Sequence, residues 1–302
     1  MVTRRAVLGT LAASGAGLSL AGIGPWARAI DPFDRPKPGR LKLSLAAYSM
    51  RKYLTPQNGQ PPEMDLFDFV DFCADHGLTG AELTSYYFPD QVTPEYLFRL
   101  KRHCHLRGIT VSGGAIRNDF CAADREKVEQ DLQHTRTWVR HYAMLGAPVI
   151  RIFAGKEVPG EELDVTLARC AKNCMRACRD AARQGMMLAL ENHGGVTATA
   201  DGLLGIVHQV DSPAFGVNFD SGNFRATDDP YAELARIAPY AINAQIKVEI
   251  HRHGKTEETD LERVLDILRE AGYSGWVALE YEAAEEPRIA IPRWLERLKS
   301  LV

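Results

Sequence analysis

From residue 41 onward one unit recurs: a short apolar run, a turn, and an amphipathic stretch closed by glycine. Residues 41–47 read as a first strand. Residues 62–76 read as a helix with Leu66, Phe69, Val70 and Cys73 on one face, closed by Gly77. Strand 80–83 and helix 94–107, stopped by Gly108, follow. Next come strand 109–112 and helix 125–145, stopped by Gly146. Strand 149–153, helix 163–184 with Gly185 behind it, and strand 187–191 complete the first half. The second half gives helix 201–210, strand 215–220, helix 231–238, strand 241–247, helix 261–271, strand 276–280 and helix 291–301. Eight alternating strands and helices predict a parallel sheet, and the length is that of a (β/α)8 TIM barrel. No G-x-G-x-x-G follows the first strand, so a doubly wound dinucleotide fold is disfavoured. No composition break calls for a second domain within 30–302.

Such a barrel builds its active site at the C-terminal strand ends, where several apolar runs here finish in polar residues. Strand 2 ends at Glu82, and strand 4 carries Arg151. Strand 5 ends in Glu191-Asn192-His193, and strand 6 in Asp220-Ser221-Gly222-Asn223. Strand 7 runs into Gln245-Ile246-Lys247-Val248-Glu249, and strand 8 into Glu280-Tyr281-Glu282. Burying several carboxylates together is costly without a compensating cation. Glu191, Asp220, Gln245 and Glu280 are therefore candidate metal ligands. An all-oxygen set suits Mn2+ or Mg2+ better than Zn2+. The alternative is a ring of salt bridges in which Arg151 and Lys247 supply the countercharge. His193, Lys247, Arg151, Glu82 and Asn223 are candidate substrate-binding groups. Glu249 and Glu282 read mainly as solvated rim, and Tyr86, Tyr87 and Phe88 as aromatics that could stack on a sugar ring but more often pack under a loop.

Four segments together resemble the sugar phosphate isomerase/epimerase family, which is built on xylose-isomerase-like barrels. They are Ala189-Leu190-Glu191-Asn192-His193, Asn218-Phe219-Asp220-Ser221-Gly222-Asn223, Ala244-Gln245-Ile246-Lys247 and Trp276-Val277-Ala278-Leu279-Glu280. Ketose 3-epimerases, hydroxypyruvate isomerases and inosose dehydratases belong to that family. The resemblance implies a divalent metal that polarises a carbonyl and hydroxyl of a sugar or polyol, with Glu191 and Glu280 as the catalytic pair exchanging a proton through an enediolate. Isomerisation, epimerisation or β-elimination can each follow from that start. At the strand-7 position, where the family often has His, this chain has Gln245, a weaker donor. A non-catalytic, exported sugar-binding barrel with a decayed metal site is the alternative function. A DNA-repair endonuclease on the same barrel would call for many more histidines at the strand ends.

Residues 1–29 read as a segment apart. Arg4-Arg5 precedes an apolar, Gly-rich run, and Ala27-Arg28-Ala29 has the form of a cleavage site, which predicts a twin-arginine signal peptide and a periplasmic or secreted product. After cleavage no stable membrane insertion is expected. The formal net charge is −3; loss of Arg4, Arg5 and Arg28 with no acid leaves −6, unsuited to a nucleic-acid partner. The expected partner is a small sugar or polyol, and a homo-oligomer is an open possibility. Cys170, Cys174 and Cys178 fall on one helical stripe, predicted to pack inward as small apolar groups.

Overall fold

The computed structural model describes residues 30–302, so the signal-peptide expectation lies outside the described residues. Eight parallel strands close into a barrel: β1 (Leu41–Ala46), β2 (Gly80–Thr84), β3 (Thr110–Ala115), β4 (Val149–Ile152), β5 (Met187–Glu191), β6 (Phe215–Asp220), β7 (Ala241–Ile246) and, after a hairpin, β10 (Gly275–Leu279). Closure is made where β1 pairs with β10, Leu41 opposite Gly275 through Leu45 opposite Leu279. The hairpin, β8 (Glu249–Arg252) and β9 (Lys255–Glu258), is an antiparallel pair inserted after β7 that the strand–helix rhythm does not reveal. All four residues of β9 are exposed and polar, so the segment carries no apolar pattern.

The helices are α1 (Arg51–Leu54), α2 (Leu66–Asp75), α3 (Pro94–Leu106), α4 (Arg125–Leu145), α5 (Leu163–Arg183), α6 (Ala200–Val207), α7 (Pro230–Ile237), α8 (Leu261–Glu270) and α9 (Pro287–Lys299). Local chemistry sets their starts. Asp65 and Asp68 form a capping box on α2, and Thr93, Asp124, Thr199, Asp229 and Asp260 cap α3, α4, α6, α7 and α8. Gly146 ends α4 at φ +86°, a conformation that disfavours any side chain. The stripe Cys170, Cys174 and Cys178 of α5 is fully buried, and all six cysteines are free. Among the described residues no helix is long and apolar enough to cross a membrane.

β3 extends through Gly113 and Gly114, past the predicted end at 112. A Cβ on Gly114 would lie 2.4 Å from the Tyr142 ring, so the glycine lets α4 press its largest buried aromatic onto the strand. The Tyr142 hydroxyl donates to the Leu83 carbonyl of β2 at 2.6 Å. Tyr142→Phe should therefore lose about 1–3 kcal/mol, because a buried carbonyl is left without its donor. Urea unfolding followed by circular dichroism measures the loss; an unchanged midpoint at unchanged slope would show that the bond contributes nothing.

Candidate active site at the barrel mouth

Two strand irregularities set the depth of the site. The β2–β3 register shifts between Ala81 and Glu82, and the β6–β7 register between Val217 and Asn218. Such bulges re-aim side chains beside active sites. Glu82 and Asn218 are thereby brought into a closed ring of buried polar groups. Asn243 Nδ2 donates to Glu82 Oε2 at 2.9 Å and to Asn218 Oδ1 at 2.7 Å. Asn218 Nδ2 donates to Gln245 Oε1 at 2.7 Å, and Gln245 Nε2 returns to Glu82 Oε1 at 2.6 Å. Gln245 thus turns its oxygen to Asn218 and its N–H to Glu82, with Glu280 Oε1 at 3.4 Å.

Above that ring the remaining groups meet in two clusters. In one, Arg151 Nε lies 2.8 Å from Glu191 Oε2, Arg151 Nη1 donates to the Ile116 carbonyl at 2.8 Å, and Asn223 Nδ2 donates to Glu191 Oε1 at 2.8 Å. In the other, Lys247 Nζ lies 3.2 Å from Asp220 Oδ2, 3.3 Å from Glu280 Oε2 and 2.7 Å from Glu282 Oε2, and donates to Asn223 Oδ1 at 3.0 Å. Asn223 joins the two. Asn192 splints β5 to β6, accepting from the Asp220 N–H and donating to its carbonyl, both at 2.9 Å. Gly222 leaves room for Lys247: a Cβ there would come within 2.7 Å of the lysine chain.

Comparison with protein families gives a match over residues 70–300 to the model described as xylose isomerase-like TIM barrel. The chain belongs to that family. No curated protein matches it. Among solved structures it is similar to a xylose isomerase domain protein from Planctomyces limnophilus, at 20% identity and TM-score 0.65 over 88% of this chain and 98% of that one. A 3-keto-D-glucoside 4-epimerase from E. coli in its apo form matches at 16% and 0.67, over 86% of this chain and all of that one. A D-tagatose 3-epimerase-like protein matches at 15% and 0.69, over 86% and 98%. At these identities the likeness is one of fold.

In this xylose isomerase-like barrel every expected site residue except His193 is buried. His193 is exposed at the rim, its ring 4.2 Å from that of Phe153. Desolvation among the mouth side chains, with the Arg151 and Lys247 cations, pushes its imidazole down to about 4, so it is neutral at ordinary pH. Glu282, expected in solvent, is half-buried. Despite that burial, Lys247 holds its carboxyl below the usual range. Asn218 and Asn243 were not anticipated, although each stands two residues before an expected ligand and so on the same side of its strand. Tyr87, half-buried after β2, is also near the site: burial, then Tyr48 and Glu280, push its hydroxyl up.

Charge decides what the mouth can hold. Among the described residues four carboxyls, Glu82, Glu191, Asp220 and Glu280, are buried beside two cations, Arg151 and Lys247, and Lys247 is shared with Glu282, so carboxyls outnumber their countercharges. Burial therefore pushes all four carboxyls up to about 7, the cations offsetting only part of it. Burial alone would lower Lys247, but Asp220, Glu280, Glu282 and Glu191 hold it well above its ordinary value. As arranged here, no three His, Cys, Asp or Glu side chains among the described residues converge on one point as ligands of an ion. The chemistry of the set nonetheless fits a divalent cation. Its donors are hard oxygens, and Asp220 Oδ2 is buried with no partner but the Lys247 ammonium at 3.2 Å, which it shares with Glu280 and Glu282.

These carboxyls hold protons in the folded chain between about pH 4.5 and 7 that the unfolded chain has released, so stability should fall as pH rises through that window. Lys247→Met should sharpen the fall. Near pH 8, where Asp220 and Glu280 are charged, loss of their cation should cost about 3–5 kcal/mol. Near pH 5, where both are protonated in the folded chain, the loss should be smaller. Denaturant unfolding at the two pH values tests this, and an equal loss at both would show that Lys247 is not compensating those carboxylates.

Proposed function

We propose that this chain is a divalent-metal-dependent isomerase or epimerase, or a related lyase, acting on a sugar, keto-sugar or cyclitol through an enediolate. The observation that carries the reading is the pair Glu191 and Glu280. Both are buried at the mouth, Glu191 at the end of β5 and Glu280 just past β10, with β6 and β7 between those strands. A carboxylate positioned beside the substrate can accept a proton from carbon and return it, as general acid–base exchange requires. Two such groups on different sides of one substrate can take a proton from one face of a carbon and deliver it to the other.

The other residues orient the substrate and set charge. Arg151 and Asn223 fix Glu191 from two directions, and Lys247 holds Glu280 and Asp220. Neutral His193 at the rim can accept a substrate hydroxyl or donate to it. The polar ring of Glu82, Asn218, Asn243 and Gln245 closes the floor and keeps the mouth side chains in single orientations. Glu191, Asp220 and Glu280 are the groups that would hold Mn2+ or Mg2+, which when bound supplies Lewis-acid stabilisation of the enediolate oxygens, whereas Gln245, expected as a fourth ligand, turns its oxygen to Asn218 and its N–H to Glu82. Relatives in fold include a 3-keto-D-glucoside 4-epimerase, an L-ribulose 3-epimerase and a probable 3-DHS dehydratase, in keeping with this range of outcomes. A sugar-binding barrel without catalysis would gain nothing from burying Glu191 and Glu280 together with Glu82 and Asp220.

Export belongs to the same proposal. Changing Arg4 and Arg5 together to Lys should retain the precursor in the cytoplasm, and undiminished appearance of that double variant outside it would exclude the twin-arginine route.

The decisive experiment is deuterium uptake from solvent into keto-sugars, with Mn2+ added to chelator-treated protein. Uptake should depend on the cation, and Glu191→Gln should lower the rate by about two to four orders of magnitude while Mn2+ still raises the melting temperature. Near-normal exchange in that folded, metal-responsive variant would remove Glu191 from the chemistry. Absence of exchange across the panel in the parent protein would favour the binding barrel.

A further inference from the structure

Beside the mouth, outside the barrel wall, a cavity of about 760 Å³ runs between the turn after β2 and the face of α4 that carries Lys127, Gln130, Asp131, His134 and Trp138. Small-molecule sites span roughly 300–1,000 Å³. Its upper end is formed by Ser85, Tyr86 and residues 117–119. These loops are held in place. Asn118 grips the Phe153 backbone, donating to its carbonyl at 2.7 Å and accepting from its N–H at 2.9 Å, and Asp131 accepts from the Asp119 N–H at 2.9 Å.

Three features describe an occupant. The lining joins aromatic surface, Tyr86 and Trp138, to polar side chains of both hydrogen-bonding senses, a combination suited to a ring with apolar faces and hydroxylated edges. Its charges cancel: Arg117 and Lys127 against Asp119 and Asp131, with Lys127 3.2 Å from Asp119, so no net field selects an ion. The cavity also borders the reaction centre through one side chain, Tyr86. Arg117 stacks 4.7 Å from the Tyr86 ring centre, and the Tyr86 hydroxyl lies against the Arg151 guanidinium, which holds Glu191.

We propose that this groove binds an uncharged second sugar ring, joined by a glycosidic bond to the ring whose carbon is attacked in the mouth, so that the natural substrate is a disaccharide or glycoside rather than a free monosaccharide. The assignment rests on the sugar-enzyme reading above and adds to it the size of the substrate. Tyr86 is the shared wall: a ring stacked in the groove would bear on the residue that faces Arg151, coupling occupancy of the groove to the position of Glu191.

Calorimetric titration of the Mn2+-loaded protein with methyl α-D-glucopyranoside and with maltose tests the proposal. Maltose should bind at least about tenfold more tightly. Gln130→Phe, which fills the groove from an exposed helical position, should reduce that advantage to about twofold or less. Maltose should also shift the intrinsic fluorescence, and Trp138→Phe should abolish the shift. Equal affinity for the two sugars in the parent protein, or a maltose advantage that survives Gln130→Phe, overturns the assignment. Deuterium exchange on keto-sugars is measured on the same preparations. Exchange without a maltose advantage defeats the groove alone, and loss of both defeats the functional reading as well.

Discussion

The excess of buried carboxylate at the barrel mouth is the constraint around which the upper half of the molecule is arranged. Glu82, Glu191, Asp220 and Glu280 come from four different strands, and each would be costly to bury alone. What makes them tolerable is a shared set of partners. Lys247 spans Asp220, Glu280 and the rim residue Glu282, Arg151 holds Glu191, Asn243 and Gln245 hold Glu82, and Asn223 joins Glu191 to Lys247. None of these contacts can be removed without leaving another charge unmatched, so the site behaves as a network rather than a sum of pairs. The arrangement is a poor device for stability, since apolar packing would serve that better. Its retention at the catalytic end of a barrel is an argument for chemistry.

Beneath the charges, the amide ring supplies direction. Asn218, Asn243 and Gln245 have fixed donor and acceptor ends, and each satisfies the next before meeting Glu82. The two register shifts make this possible, because an unbroken pleat would hold neighbouring strands at a different stagger. The backbone irregularity and the polar floor are therefore one feature. Asn192 performs the same service one level higher, tying β5 to β6 through the Asp220 backbone so that Glu191 and Asp220 keep a constant separation.

The fold was legible because its signals are local. Glycines 77, 108, 146, 185 and 272 stop helices where the apolar stripes end, and all five adopt positive φ. The β8–β9 hairpin was not legible, since charged, exposed strands have no burial to impose an alternation. Glu191, Asp220, Lys247 and Glu280 could be read as mouth residues because each closes an apolar run. Asn218 and Asn243 escaped notice inside such runs, where a single asparagine looks like a tolerated exception. Glu282 escaped for a different reason: only the path of Lys247 across the mouth, over the space left by Gly222, brings a cation to it. Tyr86 and Tyr87 looked like loop packing, and in part they are, but the turn that carries them also walls the site.

Lys247 shows how the mouth could respond to what enters it. Its ammonium is held between Asp220 and Glu280 on the inner side and Glu282 on the outer side, with the shortest separation, 2.7 Å, to the outer carboxylate. A lysine chain is long and rotatable, and its charge need not stay with any one partner. When positive charge is supplied deeper in the site, repulsion favours the outward position beside Glu282, which is half-buried and can solvate the pair. When none is present, the inward contacts offset part of the carboxylate excess. One lysine thereby serves the inner carboxylates and the rim carboxylate together.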